Sequence, residues 1–155
     1  MRNIITFALL ILVTVGFIWG NSLKTRDESA AQSTPVAESI QPVLDPHEKI
    51  EKPVFHDLVR KLAHVTEFFV LGLFVAGFAV SLGTYLRKTF LSFPVLMVLF
   101  VAVMDEFIQH MTDRGSLVTD VMLDFAAALT ALVLSWTALW LHERRKARKE
   151  ARVNG

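Results

Sequence analysis

The sequence predicts an all-α polytopic membrane protein, a bundle of four transmembrane helices. Three observations carry this. Mean hydropathy is +0.46 and 53% of the residues are hydrophobic, above the roughly 45–50% of soluble domains. The apolar residues fall in four blocks, with nearly all the formal charge between them. Within the blocks there is no period-2 alternation, which argues for helices over a β-barrel.

A membrane-crossing helix needs about 20 mostly apolar residues, with roughly 17 as the lower limit. The first block runs from Ile4 to about Gly20, carries no charge and follows Arg2. It reads as a retained signal anchor. The rival reading is a cleaved signal peptide, but the small residues Ser29-Ala30-Ala31 lie far beyond the apolar run. The second block, about Leu62 to Leu86, holds His64 and Glu67 near its start. The third, Phe90 to about Ile108, holds Asp105 and Glu106 near its end. The fourth, Leu117 to Leu141, holds Asp120 and Asp124 near its start. Trp19, Tyr85, Trp136 and Trp140 stand near block ends, where interfacial aromatics are expected.

The chain divides accordingly into helix one (1–20), an extracytoplasmic loop (21–54), a three-helix core (55–141) and a basic tail (142–155). The loop, with Pro35, Pro42, Pro46 and Pro53, reads as poorly ordered, and Phe55 to Lys61 as a short lead-in helix. The chain has no cysteine, which excludes disulfides, thiolate metal sites and a cysteine nucleophile.

Lys and Arg concentrate in cytoplasmic segments near membrane ends. Arg144, Arg145, Lys146, Arg148, Lys149 and Arg152 crowd the tail, and Arg87 and Lys88 fill the link between blocks two and three. Both termini are therefore expected in the cytoplasm. The tail reads as a topology signal with affinity for anionic lipid, not as a nucleic-acid site.

This topology gathers the intramembrane ionisable residues at the outer face. Arg60, His64 and Glu67 are spaced four and three apart, so they share one helix stripe. Asp105 and Gln109 are four apart, as are Asp120 and Asp124. A charge near the bilayer centre costs at least about 2.5–3.5 kcal/mol on insertion scales, so such groups face inward and pair. One reading is purely structural, with Arg60, Lys61 and Arg114 neutralising Glu67, Asp105, Glu106, Asp120 and Asp124. The other is a site. Arg60, Lys61 and Arg114 suit a phosphate or carboxylate headgroup. His64, Glu67, Asp105 and Glu106, with Asp124, form a weak metal-ligand set. His64, Glu67, Asp105 and Glu106 are also the candidates for acid–base catalysis, histidine being the side chain that titrates near neutrality. No convincing nucleophile appears: Ser116 and Thr119 read as helix caps before block four. Phe68, Phe69, Phe74 and Phe78 read as packing or lipid contacts.

Three segments resemble the motifs of the VanZ-like membrane proteins. They are Arg60-Lys61-Leu-Ala-His64-Val-Thr-Glu67-Phe68, then Asp105-Glu106-Phe-Ile-Gln109, then Arg114-Gly115-Ser116 followed by Asp120 and Asp124. The resemblance covers about Phe55 to Leu134. It departs from the family pattern at Phe68, where Tyr is usual, at Asp124, where Asn is usual, at Ala127, a common Gly, and at Thr112-Asp113, where Pro-Gly usually precedes the arginine.

The resemblance implies a multi-pass protein of the bacterial inner membrane. It implies a ligand-binding cluster of Arg60, Lys61, His64, Glu67, Asp105, Glu106, Gln109, Arg114, Asp120 and Asp124. It loosely implies a role with lipid-linked or cell-wall glycans and with teicoplanin resistance. The alternatives are a membrane-embedded enzyme using the same cluster, metal-dependent or not, and a non-catalytic accessory protein of an envelope complex. Membrane lipids are the expected surroundings; the sequence names neither a cofactor nor a protein partner.

Overall fold

The computed structural model describes residues 1–47, 49–89, 91–112, 114 and 117–153, with side chains to residue 150. Five helices follow in order: α1 (Arg2–Ser22), α2 (Arg26–Leu44), α3 (Lys52–Leu86), α4 (Ser92–Met111) and α5 (Val118–Val153). There is no strand among the described residues. Helices α1, α3, α4 and α5 are long and apolar enough to cross a membrane, as the four blocks predict. Their hydroxyls are satisfied locally: Thr14, Thr66, Ser81, Thr130 and Ser135 each donate to the carbonyl four residues earlier. That suits a helix in a medium that offers no water.

The core is one cluster. Phe68, Leu71, Val75 and Ala76 of α3 meet Val98, Val101 and Ala102 of α4, Ala127, Ala128 and Leu132 of α5, and Ile11 and Ile18 of α1. The most extensive interface is between α3 and α5, and small residues line it. A Cβ at Gly72 would meet the Ala128 carbonyl oxygen and, at 2.8 Å, the Ala131 Cβ. Close backbone approach of this kind drives helix pairing in membranes. Phe68 is fully buried, and Phe69, Phe74 and Phe78 pack against the same core, so these rings serve packing.

The structure departs from the sequence reading in two places. The stretch 21–54 is not irregular, because α2 occupies Arg26–Leu44. Thr25 and Glu28 form a capping box: the Glu28 N–H donates to Thr25 Oγ1 at 3.4 Å, and the Thr25 N–H to Glu28 Oε2 at 2.9 Å. Helix α2 then buries Ala37 against Phe55 and Val59 of α3, with Ile40 and Ile50 beside them. This anchorage outweighs Pro35 and Pro42, which each remove one ladder hydrogen bond. The Asp45 carboxylate closes the turn into α3 by accepting from the Lys49 and Ile50 N–H groups at 3.0 and 2.7 Å.

Second, no separate lead-in helix exists: 55–61 is continuous with α3, which has 35 residues and a proline in its first turn. At about 1.5 Å per residue it is roughly 50 Å long against a hydrocarbon core of about 30 Å, so part of it projects beyond the bilayer. The basic tail continues α5 as helix, with the Arg144 guanidinium 3.8 Å above the Trp140 ring. Of the sequence features, Phe90, Asp113, Gly115 and Ser116 lie outside the described residues.

The capping box makes a first prediction. Hydrogen bonds from the Thr25 backbone and hydroxyl hold the Glu28 carboxyl below its ordinary pKa. The cap is therefore intact above the usual glutamate range and is lost as pH falls through the lowered value. Thr25→Ala is expected to speed amide exchange in the first turn of α2 roughly fivefold, the factor a lost cap corresponds to. Unchanged exchange in hydrogen–deuterium measurements would contradict this role.

Candidate functional site

The predicted residues converge on one end of the bundle, where α1 and α4 end and α3 and α5 begin. Helical spacing puts Arg60, His64 and Glu67 on one stripe of α3, and all three line one cavity. Asp105 on α4 is the centre of the polar network. It is fully buried, accepts from Ser22 Oγ at 2.6 Å and from Gln109 Nε2 at 2.7 Å, and lies 3.8 Å from His64 Nδ1. The last distance is too long for a hydrogen bond.

Each remaining candidate has a definite place. Lys61 pairs with Asp120 at 3.4 Å across α3 and α5. Arg60 pairs with Asp57 on its own helix at 2.7 Å. Glu106 Oε1 accepts the Leu117 N–H at 2.6 Å, so this carboxylate caps the start of α5, the role the sequence suggests for Ser116 or Thr119. Glu67 accepts from Asn21 Nδ2 at 3.4 Å. Asp124 is 4% exposed, and among the described residues no hydrogen-bond donor serves it. Arg114 lies in the α4–α5 connection and donates to the Asn21 carbonyl at 3.1 Å and to Ser29 Oγ at 2.9 Å. Burial, then the neighbouring Arg60, lower its pKa from the ordinary arginine value, while Asp105, Glu106 and Glu67 oppose the shift. A guanidinium nonetheless stays charged in a protein.

Mutual neutralisation is thus incomplete. Of the cationic side chains, only Lys61 makes an ion pair with a cluster carboxylate among the described residues. Arg60 is engaged with Asp57, and Arg114 with a carbonyl and a hydroxyl. Glu67, Asp105, Glu106 and Asp124 outnumber the one arginine buried among them. Buried atoms are left without hydrogen-bond partners: His64 Nδ1, Glu67 Oε2, Glu106 Oε2 and Arg114 Nε.

Two cavities open at this end. The larger, about 340 Å³, lies between α1, α2 and α3. Polar side chains, among them Asn21, Arg60, His64, Glu67 and Arg114, line it together with the apolar Phe17, Val36, Val59 and Ala63. The smaller, about 30 Å³, sits among Lys61, Gln109, Asp120 and Asp124. Arg60, His64 and Arg114 line both, so they stand between the two. Ligand pockets run from about 300 to 1,000 Å³, which puts the larger cavity at the small end of that range.

Sequence reasoning missed the contribution of α1 and α2. The first helix reads as a bare anchor, yet Asn21 and Ser22 belong to the network, and Ser22 is fully buried. Gln32, Ser29 and Ser33 of α2 line the large cavity. The available signal was the Asn-Ser pair directly after the apolar run, level with the acids of the other helices.

No curated protein and no solved structure matches the chain. The VanZ/LLP1 family does, over residues 7–141. That span holds α2 to α4, most of α1, the first two-thirds of α5 and every residue of the cluster. The cluster with its two cavities is accordingly the polar end of a four-span membrane protein that belongs to the VanZ/LLP1 family.

Proposed function

We propose that the protein binds a polar or anionic headgroup, lipid-linked or wall-derived, in the larger cavity. The carrying observation is its mixed lining. Arg60 and Arg114 suit phosphate or carboxylate oxygens, and Phe17, Val36, Val59 and Ala63 offer apolar contact for the first carbons of an attached chain. We place the cluster end at the outer face of the bacterial inner membrane, with both termini cytoplasmic. The support is the opposite end, where Arg87 and Lys88 lie in one surface groove with Trp140 and Glu143 of α5, just before the basic tail. A ligand drawn from the wall or its lipid-linked precursors connects this site to glycopeptide action, and to teicoplanin resistance in particular.

The test uses an isoprenoid-linked monophosphate, with phosphatidylcholine as the neutral comparison. In native mass spectrometry the full-length protein is expected to retain the monophosphate and not the neutral lipid. Arg60→Ala with Arg114→Lys should reduce retention at least tenfold. In cells, teicoplanin tolerance conferred by the wild type should disappear in the same variant. Equal retention of both lipids by wild type and variant would refute the proposal.

A further inference from the structure

We propose that the protein holds one divalent transition-metal ion between His64, Asp105 and Asp124. The three side chains come from α3, α4 and α5, and each offers one ligand atom within 4.8 Å of the others. Protein ligands on zinc or a similar ion sit about 2.0–2.2 Å from the metal, hence roughly 3–4 Å from each other. The 3.8 Å between His64 Nδ1 and Asp105 Oδ2 matches that spacing, so closure on an ion needs only small side-chain rotations.

Independent observations point to the ligand. His64 Nδ1 is buried and has no hydrogen-bond partner. Asp124 is 4% exposed, lines the 30 Å³ cavity, and receives no hydrogen bond from any described residue. A buried imidazole nitrogen without a partner is costly, and the Asp124 carboxylate beside it lines the small cavity with no donor among the described residues. One cation between them satisfies both. The nearby guanidinium does not fill this role: Arg114 donates to the Asn21 carbonyl and to Ser29 Oγ, not to Asp124.

The surroundings fit as well. Asp105 is oriented by Ser22 and Gln109, as ligating carboxylates commonly are. One imidazole with two carboxylates favours zinc, manganese or iron over calcium or magnesium, which take oxygen ligands throughout. Three protein ligands leave a coordination position free, and a cavity of about 30 Å³ has room there for a water molecule. Glu67 and Glu106, both in the sequence-derived ligand set, fall outside this one: Glu67 faces the larger cavity, and Glu106 caps α5.

The inference goes beyond the headgroup reading and does not depend on it. Full-length protein is purified in detergent through a tag that needs no metal, stripped with chelator, and dialysed against Zn²⁺ or Mn²⁺. Elemental analysis is expected to find about one ion per chain for one of the two. Asp124→Asn, which keeps the side chain's shape, and His64→Gln should each lose at least tenfold in affinity, while Glu143→Gln at the opposite end keeps it. Helicity by circular dichroism checks that the variants fold. Wild type holding neither metal would overturn the proposal, and so would an ion retained equally by all variants. If a variant fails to fold, the wild-type count decides. Absence of metal would leave monophosphate binding by Arg60 and Arg114 standing, and failure of that binding would leave the metal count unchanged.

Discussion

Asp105→Ala is expected to loosen the polar end of the bundle and to lower its resistance to unfolding by about 2 kcal/mol or more. The carboxylate is the acceptor for two donors, Ser22 Oγ at 2.6 Å and Gln109 Nε2 at 2.7 Å. Removing it leaves the buried Ser22 Oγ without its acceptor, at roughly 1–3 kcal/mol, and leaves Gln109 Nε2 only its long 3.5 Å bond to Ser22 Oγ. An average interhelical hydrogen bond in a membrane is worth only about 0.6 kcal/mol, but that figure describes pairs free to find other partners. Ser22 is fully buried and tethered by the Thr112 hydroxyl, which donates to its carbonyl at 3.2 Å. A buried polar group can be stability-neutral when all its partners are replaced by apolar groups; here only one is. Asp105→Asn keeps one acceptor oxygen and should lose about half as much. Titration with SDS in detergent micelles, in the presence of chelator so that no bound ion contributes, measures both. An unchanged midpoint for Asp105→Ala would show that the network does not hold α1 to α4.

Gly72→Leu is expected to be more damaging, because no side chain can yield to it. The new Cβ meets the Ala128 carbonyl oxygen, then the Ala131 Cβ at 2.8 Å and the Ala128 carbonyl carbon at 3.0 Å. Overpacking of a tight core costs about 1–3 kcal/mol even for small additions. Here the obstruction is backbone in the largest interface of the bundle, so α3 and α5 must move apart. Gly77 offers a graded comparison: its Cβ would meet the Phe7 ring, which can rotate away. Gly16 has open space, and alanine there should gain up to about 1 kcal/mol of helix propensity. The expected order of thermal stability is Gly16→Ala at or above wild type, then Gly77→Ala, Gly72→Ala and Gly72→Leu. Equal stability of Gly16→Leu and Gly72→Leu would refute the close-packed seam.

The architecture was legible because lipid imposes a severe rule. Every backbone polar group in the hydrocarbon must be paired within its own segment, so four long apolar runs can be little else than four helices. The cluster was legible for a related reason. Ionisable residues are costly at that depth, and Arg60, His64 and Glu67 already share a stripe by spacing alone. Helix α2 was not legible. Its prolines and polar residues resemble a linker, and its order comes from a cap at Thr25 and from Ala37 meeting Phe55 and Val59. The place of Asn21 and Ser22 was hidden because neither residue carries charge.

The sequence by itself determined the number of spans, the end at which charge collects and the residues that collect there. These follow from hydropathy and helical period, which are properties of single segments. Only the tertiary structure decided which of those residues touch. It paired Lys61 with Asp120, turned Arg60 to Asp57 and Glu106 to the start of α5, and left His64 and Asp124 facing each other beside Asp105 with hydrogen-bonding capacity unfilled. The physical reason is that pairing depends on the rotation and depth of each helix about its axis. Those are set by small-residue contacts such as Gly72 on Ala128, which the pattern of any one segment does not contain.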